Sequence, residues 1–202
     1  TICNTKQDAF NDIKNILSGK FEKSKKVIIE EFLQGEEASY FVVTDGANYI
    51  PIGTAQDHKR IGENDTGLNT GGMGAYSPSF LISKEVDEKI KKTIIEPTIN
   101  AMKAKGCPYK GILYAGLMIN KSQPKLIEYN IRFGDPECQV LMVRLGGQIL
   151  DVLLECAQQK LHNSKINWAN DAAISVVMAA AGYPEAYKKG TAIRNLDLAE
   201  KI

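Results

Sequence analysis

The chain has 202 residues, of which 44% are hydrophobic and 24% are charged, so it can bury a sizeable core. Its 25 basic and 24 acidic residues leave a net charge of +1, and no Lys/Arg cluster carries interleaved aromatic residues, which argues against a nucleic-acid or membrane surface. No apolar run could span a bilayer, no signal peptide is recognisable, and the four cysteines lack C-x-x-C spacing; we therefore expect a soluble cytoplasmic protein that acts on small molecules.

The first part of the chain predicts a helix, a strand, a hairpin and a long loop. Thr5 is a suitable N-cap for a helix that Gly19 ends. The apolar run 27–33 predicts a strand whose first half is buried. Two β-rich runs flank Asp45-Gly46, which predicts a hairpin. Residues 56–78 show no hydrophobic period and are rich in Gly, Asn, Asp and Thr, which predicts a structureless loop with a functional role.

The central part predicts a long helix and a pair of strands. Ser83 opens a helical pattern that we expect to be kinked near Pro97 and ended by Gly106. The runs 111–119 and 124–133 predict two strands joined by a short turn.

The last part predicts two helices and a strand. Asp135 and Pro136 form an N-cap and first-turn pair for a helix that ends at Gly146-Gly147. The run 172–184 predicts a strand of a new structural unit. The helix between them carries a predicted apolar face of Ile149, Leu150, Leu153, Leu154, Ala157 and Leu161.

Three polar residues alternate with apolar ones in the strand predicted over 124–133. Read with period two, Glu128, Asn130 and Arg132 share one face, and Ile127 shares the other with Tyr129. Residues two apart on a strand are about 6.6 Å apart, so the carboxylate of Glu128 and the amide oxygen of Asn130 can converge on one ion, and oxygen ligands favour Mg²⁺. Arg132 could bind a phosphoryl or carboxylate oxygen. The alternative is a solvent-facing strand with a weak surface ion pair.

The loop at 56–78 is a second candidate site. Side chains that can carry positive charge follow one another directly, and glycines allow backbone N–H groups to approach an anion. The motif matches neither a P-loop nor a dinucleotide-binding fingerprint, and the alternative is a flexible linker with solvated charges. The residues concerned are Asp57, His58, Lys59, Arg60, Gly71, Gly72, Met73 and Gly74.

Five motifs in this order resemble the phosphoribosylamine–glycine ligase family of the ATP-grasp superfamily, and the similarity continues to VVMAAAGYP near the end of the chain. The motifs are VIIEEFLQGEEAS, QDHKR, DTGLNTGGMGAYSP, GILYAGLM and IEYNIRFGDPE. The resemblance implies an α+β ATP-grasp fold, in which antiparallel sheets with flanking helices hold a nucleotide between two subdomains.

The resemblance also implies an activity. Members of this family use ATP to join glycine to 5-phosphoribosylamine through glycyl phosphate, which gives glycinamide ribonucleotide, ADP and phosphate in purine biosynthesis, with Mg²⁺ or Mn²⁺ as cofactor. Two alternatives remain open: another ATP-grasp carboxylate-amine ligase, which should lack the QDHKR and GGMG pair, or a non-catalytic nucleotide-binding fragment.

Roles for single residues follow from the same resemblance. The backbone of residues 31–33 would bind the adenine edge, and Glu37 the ribose hydroxyls. Arg132 would stabilise the transferred phosphoryl group, Asp135 could bind the glycine ammonium, and residues 56–74 would hold substrate. The implied ATP-binding residues are Glu30, Glu31, Phe32, Leu33 and Glu37, and the implied metal ligands are Glu128 and Asn130.

The resemblance finally implies a division of the chain. Residues 1–29 would end a lid subdomain, 30–165 would form the catalytic subdomain, and 166–202 would begin a C-terminal domain. The chain starts at Thr1 rather than Met and stops at Ile202 in a charged segment, so we expect a fragment that lacks the N-terminal domain and is inactive alone. Expected partners are ATP, glycine, 5-phosphoribosylamine and the remaining parts of the same enzyme.

Overall fold

The computed structural model describes residues 1–22 and 24–200. The chain divides into two compact units, Thr1–Gln34 and Gly35–Ile202. The predicted boundaries after residues 29 and 165 stay predictions.

The first unit contains helix α1, Lys6–Leu17, which begins as predicted at Thr5. The Thr5 hydroxyl accepts a hydrogen bond of 3.1 Å from the Asp8 N–H, and the Asp8 carboxylate accepts one of 3.1 Å from the Thr5 N–H. This reciprocal pair satisfies two N–H groups that a helix start leaves without partners. The helix itself has no buried residue.

The predicted strand over 27–33 is wrong. The described residues 24–34 form neither helix nor strand, and Ile28 and Ile29 are 83% and 77% exposed. A strand is stable only when a neighbouring strand completes its hydrogen-bond ladder, and the described residues of this unit contain no other strand.

The second unit is built on a six-stranded antiparallel sheet with the order β7-β6-β1-β2-β5-β8, beside a separate β3–β4 hairpin. The strands are β1 Glu36–Thr44, β2 Tyr49–Asp57, β3 Arg60–Gly62, β4 Thr66–Asn69, β5 Gly74–Ser77, β6 Gly111–Asn120, β7 Gln123–Asn130 and β8 Ala173–Val176. The helices are α2 Lys84–Ile90, a π-helical turn Lys91–Ile95, α3 Glu96–Ala104, α4 Glu137–Leu145, α5 Gln148–Ala157, a 3₁₀ turn Leu161–Asn163 and α6 Leu196–Ala199.

The hairpin predicted at Asp45-Gly46 is confirmed, and it joins β1 to β2. Gly46 has a φ of +93°, a conformation that glycine adopts without strain. The Asp45 carboxylate accepts hydrogen bonds from the N–H groups of Ala47 at 2.9 Å and Asn48 at 2.7 Å. It also accepts one from the Leu161 N–H at 3.3 Å, so this turn anchors a distant part of the chain.

The prediction of a structureless loop at 56–78 is wrong. This stretch contains the β3–β4 hairpin and strand β5. All four residues of β4 are exposed, so this strand has no buried side whose residues would produce a hydrophobic period. Strand β5 is short and pairs with β2 and β8 on its two sides.

The long helix predicted from Ser83 is confirmed, with an interruption where the kink was expected. The Ser83 hydroxyl accepts a hydrogen bond of 3.3 Å from the Val86 N–H. A π-helical turn separates α2 from α3, and Pro97 lies in the first turn of α3. Proline has no N–H to donate to the preceding turn, which accounts for the irregularity at this place.

Helices cover both faces of the sheet. Tyr40 and Val42 of β1 pack with α2 and α3, while Phe41 and Val43 pack with α4 and α5. This explains the unbroken apolar sequence of β1, since a strand buried on both faces shows no alternation.

The apolar face predicted for the helix after Gly147 is only partly correct. Ile149 of α5 is buried, but Leu150 and Leu154 are 71% and 56% exposed. Val152 and Cys156 are the other buried residues of this helix. The buried face of α5 is therefore narrower than its apolar sequence suggests.

The start of α4 and the place of β8 also differ from prediction. Pro136 occupies the N-cap position of α4 without a side-chain hydrogen bond, and the Asp135 carboxylate instead accepts one of 2.9 Å from the Gln139 side chain. Strand β8 is present as predicted, but it pairs with β5 and so extends the same sheet.

Candidate active site

The polar end of β7 contains a bulge. Glu128 pairs with Gly116 of β6, whereas Leu126 pairs with the next residue, Leu117, so that Ile127 is an extra residue in β7. Ile127 and Glu128 consequently line the same pocket. The strict alternation predicted from the sequence is wrong for Ile127, because a bulge shifts the period by one residue.

Glu128 and Asn130 are brought together as predicted. The Asn130 side-chain amide donates a hydrogen bond of 3.1 Å to the Glu128 carboxylate, which leaves the amide oxygen available as a ligand. The described residues contain no group of three or more His, Cys, Asp or Glu side chains that could hold a metal. One carboxylate and one amide oxygen nevertheless fit Mg²⁺, which usually keeps several water ligands and adds phosphate oxygens.

Arg132 is not on the same strand face, contrary to prediction. Strand β7 ends at Asn130, and the Arg132 guanidinium donates a hydrogen bond of 2.9 Å to the Phe133 carbonyl. The chain turns away here to begin α4, and a Cβ on Gly134 would lie 2.3 Å from the Glu137 carboxylate, so a larger residue would displace that carboxylate.

A pocket of about 160 Å³ lies where the first residues of β1 meet the ends of β2 and β7. Its charged lining residues are Glu37, Asp57, Lys59 and Glu128. The Lys59 ammonium is 3.0 Å from the Glu37 carboxylate and 3.9 Å from the Asp57 carboxylate. Three of the predicted site segments, around Glu37, Asp57 and Glu128, are therefore adjacent in space.

Burial and neighbouring charges shift the pKa values of Asp57 and Lys59 in this pocket. Burial raises the pKa of Asp57, whose side chain is 9% exposed, and the nearby Glu137 and Glu37 add to this while Lys59 opposes it. Burial alone would lower the pKa of Lys59, but the charges of Asp57, Glu37 and Glu128 outweigh it and raise that pKa. The lysine is therefore firmly cationic.

A buried polar cluster, in which Ser39 and Tyr114 belong to the pocket lining, was not expected from the sequence. The Glu137 carboxylate is 2% exposed and accepts hydrogen bonds from the hydroxyls of Tyr114 at 3.0 Å and Ser39 at 3.2 Å. Burial, followed by the charge of Glu137, raises the pKa of Tyr114. Nothing in the sequence predicted the burial of Glu137, and no motif distinguishes Ser39 or Tyr114 from their apolar neighbours.

The glycine-rich segment plays a different structural part from the one predicted. The N–H of Gly71 donates to the Tyr183 hydroxyl at 3.0 Å, that of Gly72 to the Thr70 hydroxyl at 3.0 Å, and that of Met73 to the His58 carbonyl at 2.7 Å. These three N–H groups are thus engaged within the protein rather than open to an anion.

Close packing explains why positions 72 and 74 are glycines. A Cβ on Gly72, whose φ is +122°, would lie 2.5 Å from the Pro136 ring and 3.0 Å from the Asp135 carbonyl. A Cβ on Gly74 would lie 2.7 Å from the Ser175 carbonyl of β8. The segment therefore rests directly against the chain that follows β7, which brings the two motifs together.

The pocket lining does not include the remaining predicted site residues. The Arg60 guanidinium donates a hydrogen bond of 2.7 Å to the Gly67 carbonyl, and His58 is exposed, with its ring 5.9 Å from that of Tyr76. Asp135 is also exposed. The predicted adenine-binding residues Glu30, Glu31, Phe32 and Leu33 belong to the first unit.

Comparison with known proteins agrees with this architecture. Residues 1–138 match the family described as phosphoribosylglycinamide synthetase, ATP-grasp (A) domain. The chain belongs to this family. Its fold is therefore the ATP-grasp fold that the sequence predicted, and this prediction is confirmed.

Individual members of the family are similar over most of the chain. A phosphoribosylamine–glycine ligase from Vigna unguiculata is 50% identical over 100% of this chain, which covers 66% of that protein. The crystal structure of the phosphoribosylamine–glycine ligase from Thermotoga maritima superposes with a TM-score of 0.83 at 33% identity, over 94% of this chain and 48% of that one.

A more distant structure shares the fold. The biotin carboxylase domain of a 2-oxoglutarate carboxylase from Hydrogenobacter thermophilus, solved with MgADP and bicarbonate, gives a TM-score of 0.60 at 19% identity, over 86% of this chain and 37% of that one. The chain spans between 39% and 66% of the length of the phosphoribosylamine–glycine ligases that it matches.

Proposed function

We propose that the protein catalyses the ATP-dependent ligation of glycine to 5-phosphoribosylamine, giving glycinamide ribonucleotide, ADP and phosphate. The observation that carries this proposal is the pocket in which Glu37, Lys59 and Glu128 meet, in a chain of the phosphoribosylglycinamide synthetase family. A pocket that combines a cation with oxygen ligands suits a metal-bound nucleotide.

The reaction requires two anionic transition states. The glycine carboxylate attacks the γ-phosphorus of ATP to give glycyl phosphate and ADP, and the amine of 5-phosphoribosylamine then attacks the acyl carbon and displaces phosphate. Such charge is stabilised by preorganised cations and hydrogen-bond donors, and no side-chain nucleophile is needed.

The proposal gives each of the following predicted site residues a separate task. Glu37 accepts hydrogen bonds from the ribose hydroxyls, and the backbone of residues 31–33 binds adenine. Arg132 stabilises the transferred phosphoryl group, which requires its guanidinium to leave the Phe133 carbonyl. Asp135 binds the glycine ammonium, and the segment from Asp57 to Gly74 borders the substrate.

Glu128 and Asn130 would hold Mg²⁺ or Mn²⁺, which supplies charge neutralisation for phosphate oxygens when bound. The MgADP in the Hydrogenobacter structure supports this assignment at the level of the shared fold.

We also propose that the enzyme is cytoplasmic. No helix in the described part of the chain is long and apolar enough to cross a membrane.

The test is ADP release by this chain together with the remaining parts of the enzyme that the sequence analysis expects, with ATP, glycine and 5-phosphoribosylamine, because we expect residues 1–202 to be inactive alone. We expect release to require all three compounds and Mg²⁺, and to be lost in Glu128→Ala. Release that depends on a different carboxylate or amine would instead indicate another ATP-grasp ligase, and ATP binding without turnover under any condition would support a non-catalytic nucleotide-binding role.

A further inference from the structure

The motif VVMAAAGYP near the end of the chain has no task in the proposed function. It begins in strand β8 and continues as irregular chain beside the glycine-rich segment 71–74. Val176 pairs with Gly74 of β5, and the Val177 N–H donates a hydrogen bond of 2.9 Å to the Met73 carbonyl. The motif therefore runs alongside the segment that borders the substrate in our proposal.

Tyr183, in the same motif, makes a further contact with this segment. Its hydroxyl accepts a hydrogen bond of 3.0 Å from the Gly71 N–H, and the two residues are 112 positions apart in the chain. Such a bond fixes the backbone of a loop by a group that does not belong to the loop. The start of the glycine-rich segment is thus tied to a residue near the other end of the chain.

The position of Tyr183 is itself fixed locally. Its N–H donates a hydrogen bond of 3.1 Å to the Ala180 carbonyl, which closes a turn. The preceding Gly182 has a φ of +96°, and a Cβ there would lie 2.8 Å from the Ala186 carbonyl, so the turn favours glycine. The ring of Tyr183 meets that of Tyr187 edge-on, with 5.7 Å between the ring centroids. The Tyr183 hydroxyl is therefore a fixed acceptor for the Gly71 N–H.

The glycine-rich segment also packs against Asp135, to which we assign the ammonium group of the substrate glycine. A Cβ on Gly72 would lie 3.0 Å from the Asp135 carbonyl and 2.5 Å from the Pro136 ring, so the two backbones touch without an intervening side chain. A shift of Gly71 would move its neighbour Gly72 and with it the surface on which Asp135 rests.

We propose that Tyr183 is a positioning residue for the glycine site: by accepting the Gly71 N–H, it holds the backbone of residues 71–72 against Asp135. The inference rests on the proposed function, because it takes the substrate ammonium to be the ligand of Asp135. It adds that a residue beyond the family-matched residues 1–138 sets the affinity for one substrate. The proposed ligands of the metal-bound nucleotide lie on other strands, β1 and β7, neither of which pairs with β8.

Tyr183→Phe separates the two substrates. The change removes the acceptor of the Gly71 N–H and keeps the ring. Loss of one hydrogen bond corresponds to about three- to tenfold in an equilibrium constant, so we expect the KM for glycine to rise by about that factor. The KM for MgATP should not change. Tyr187→Phe is the matched control, because it removes the same atom from the adjacent ring, which is 41% exposed, and it should alter neither KM.

Two measurements test the inference. Steady-state ADP release by this chain together with the remaining parts of the enzyme gives both KM values. NMR hydrogen exchange in the purified chain reports on the bond itself, and the Gly71 amide should exchange faster in Tyr183→Phe than in the unaltered protein or in Tyr187→Phe.

The outcomes separate this inference from the ligase proposal. A similar rise in both KM values would show that Tyr183 supports the structure in general, and no change in either, or unchanged exchange at Gly71, would remove its influence on the site. Each of these results overturns the positioning role and leaves the ligase proposal intact. ADP release that does not depend on glycine in the unaltered enzyme would overturn both.

Discussion

The hydroxyl of Tyr114 donates a hydrogen bond of 3.0 Å to the buried carboxylate of Glu137. The donor belongs to the central sheet and the acceptor to the first turn of α4, so this bond joins the two elements at the wall of the pocket, which Tyr114 lines. The Ser39 hydroxyl lies close to both residues, at 2.9 Å from the Tyr114 hydroxyl and 3.2 Å from the Glu137 carboxylate.

Tyr114→Phe should therefore destabilise the protein. It removes a donor from a buried carboxylate, which costs about 1–3 kcal/mol because the carboxylate has no access to water in exchange. Urea unfolding at pH 7 measures the loss. Tyr187→Phe is the matched control, since Tyr187 is 41% exposed, and it should stay within about 0.5 kcal/mol of the unaltered protein. Equal stability of the two variants would show that the buried bond contributes nothing.

Gly72→Ala should disturb the contact between the glycine-rich segment and the start of α4. The new methyl would lie 2.5 Å from the Pro136 ring, and the φ of +122° is strained for alanine. Gly106→Ala is the comparison, because Gly106 has a φ of +75° but no atom within 4 Å of the added carbon. We expect about 1 kcal/mol of destabilisation at Gly106 and at least twice that at Gly72, by thermal or urea unfolding. A Gly72 variant no less stable than the Gly106 variant would argue against close packing there.

Asp57→Asn should change the dependence of stability on pH. Burial, with the charges of Glu137 and Glu37, raises the pKa of Asp57 above its ordinary value. A pKa raised by folding means that the folded state binds the proton more tightly. The group then stabilises the fold at low pH, and this stabilisation is lost as the pH rises through the raised pKa. The asparagine variant should therefore gain stability relative to the unaltered protein between about pH 4 and pH 7.

Asp45→Asn should change the dependence of stability on pH in the opposite direction. Burial alone would raise the pKa of Asp45, but hydrogen bonds from the backbone of Asn48, Ala47 and Leu161 outweigh it and lower the pKa. The stabilisation that Asp45 contributes is present above the ordinary aspartate pKa and is lost as the pH falls through the lowered pKa of Asp45 in the folded protein. Unfolding curves of both variants from pH 3 to pH 7, relative to the unaltered protein, should thus slope in opposite directions; parallel slopes would contradict the assigned environments.

Glu128→Gln should weaken the binding of the metal-bound nucleotide. The change keeps the shape of the side chain and removes the negative charge that a divalent cation requires, so we expect at least about tenfold lower affinity for Mg²⁺ in the presence of ATP. Glu85→Gln is the control, because Glu85 forms an exposed ion pair with Lys89 on α2. Titration of Mg²⁺ against ATP binding measures both variants, and equal Mg²⁺ affinity would remove Glu128 from the proposed metal site.

Local signals in the sequence predicted much of this fold. Thr5, Ser83 and Asp45-Gly46 each determine a cap or turn through atoms within a few residues, and the structure has all three where they were expected. The pairing of Glu128 with Asn130 was predictable for the same reason, because a spacing of two fixes their common side of the strand.

Features that depend on distant partners were not predictable. The apolar run 27–33 looks like a strand but has no partner strand among the described residues of its own unit. The bulge at Ile127 arises from pairing with β6, and the burial of Glu137 depends on hydroxyls of β1 and β6. None of these long-range relations leaves a periodic pattern in the sequence.

The contact of Gly72 with Pro136 has a consequence for the order of folding. These residues are far apart in the chain, and each segment has few apolar side chains to hold it before the other arrives. Contacts that close long loops are slow to form, whereas the β1–β2 and β6–β7 hairpins close over short turns. We expect the hairpins to be protected from hydrogen exchange early in refolding and the pocket to be completed late, so that a partly folded chain carries a sheet but no site.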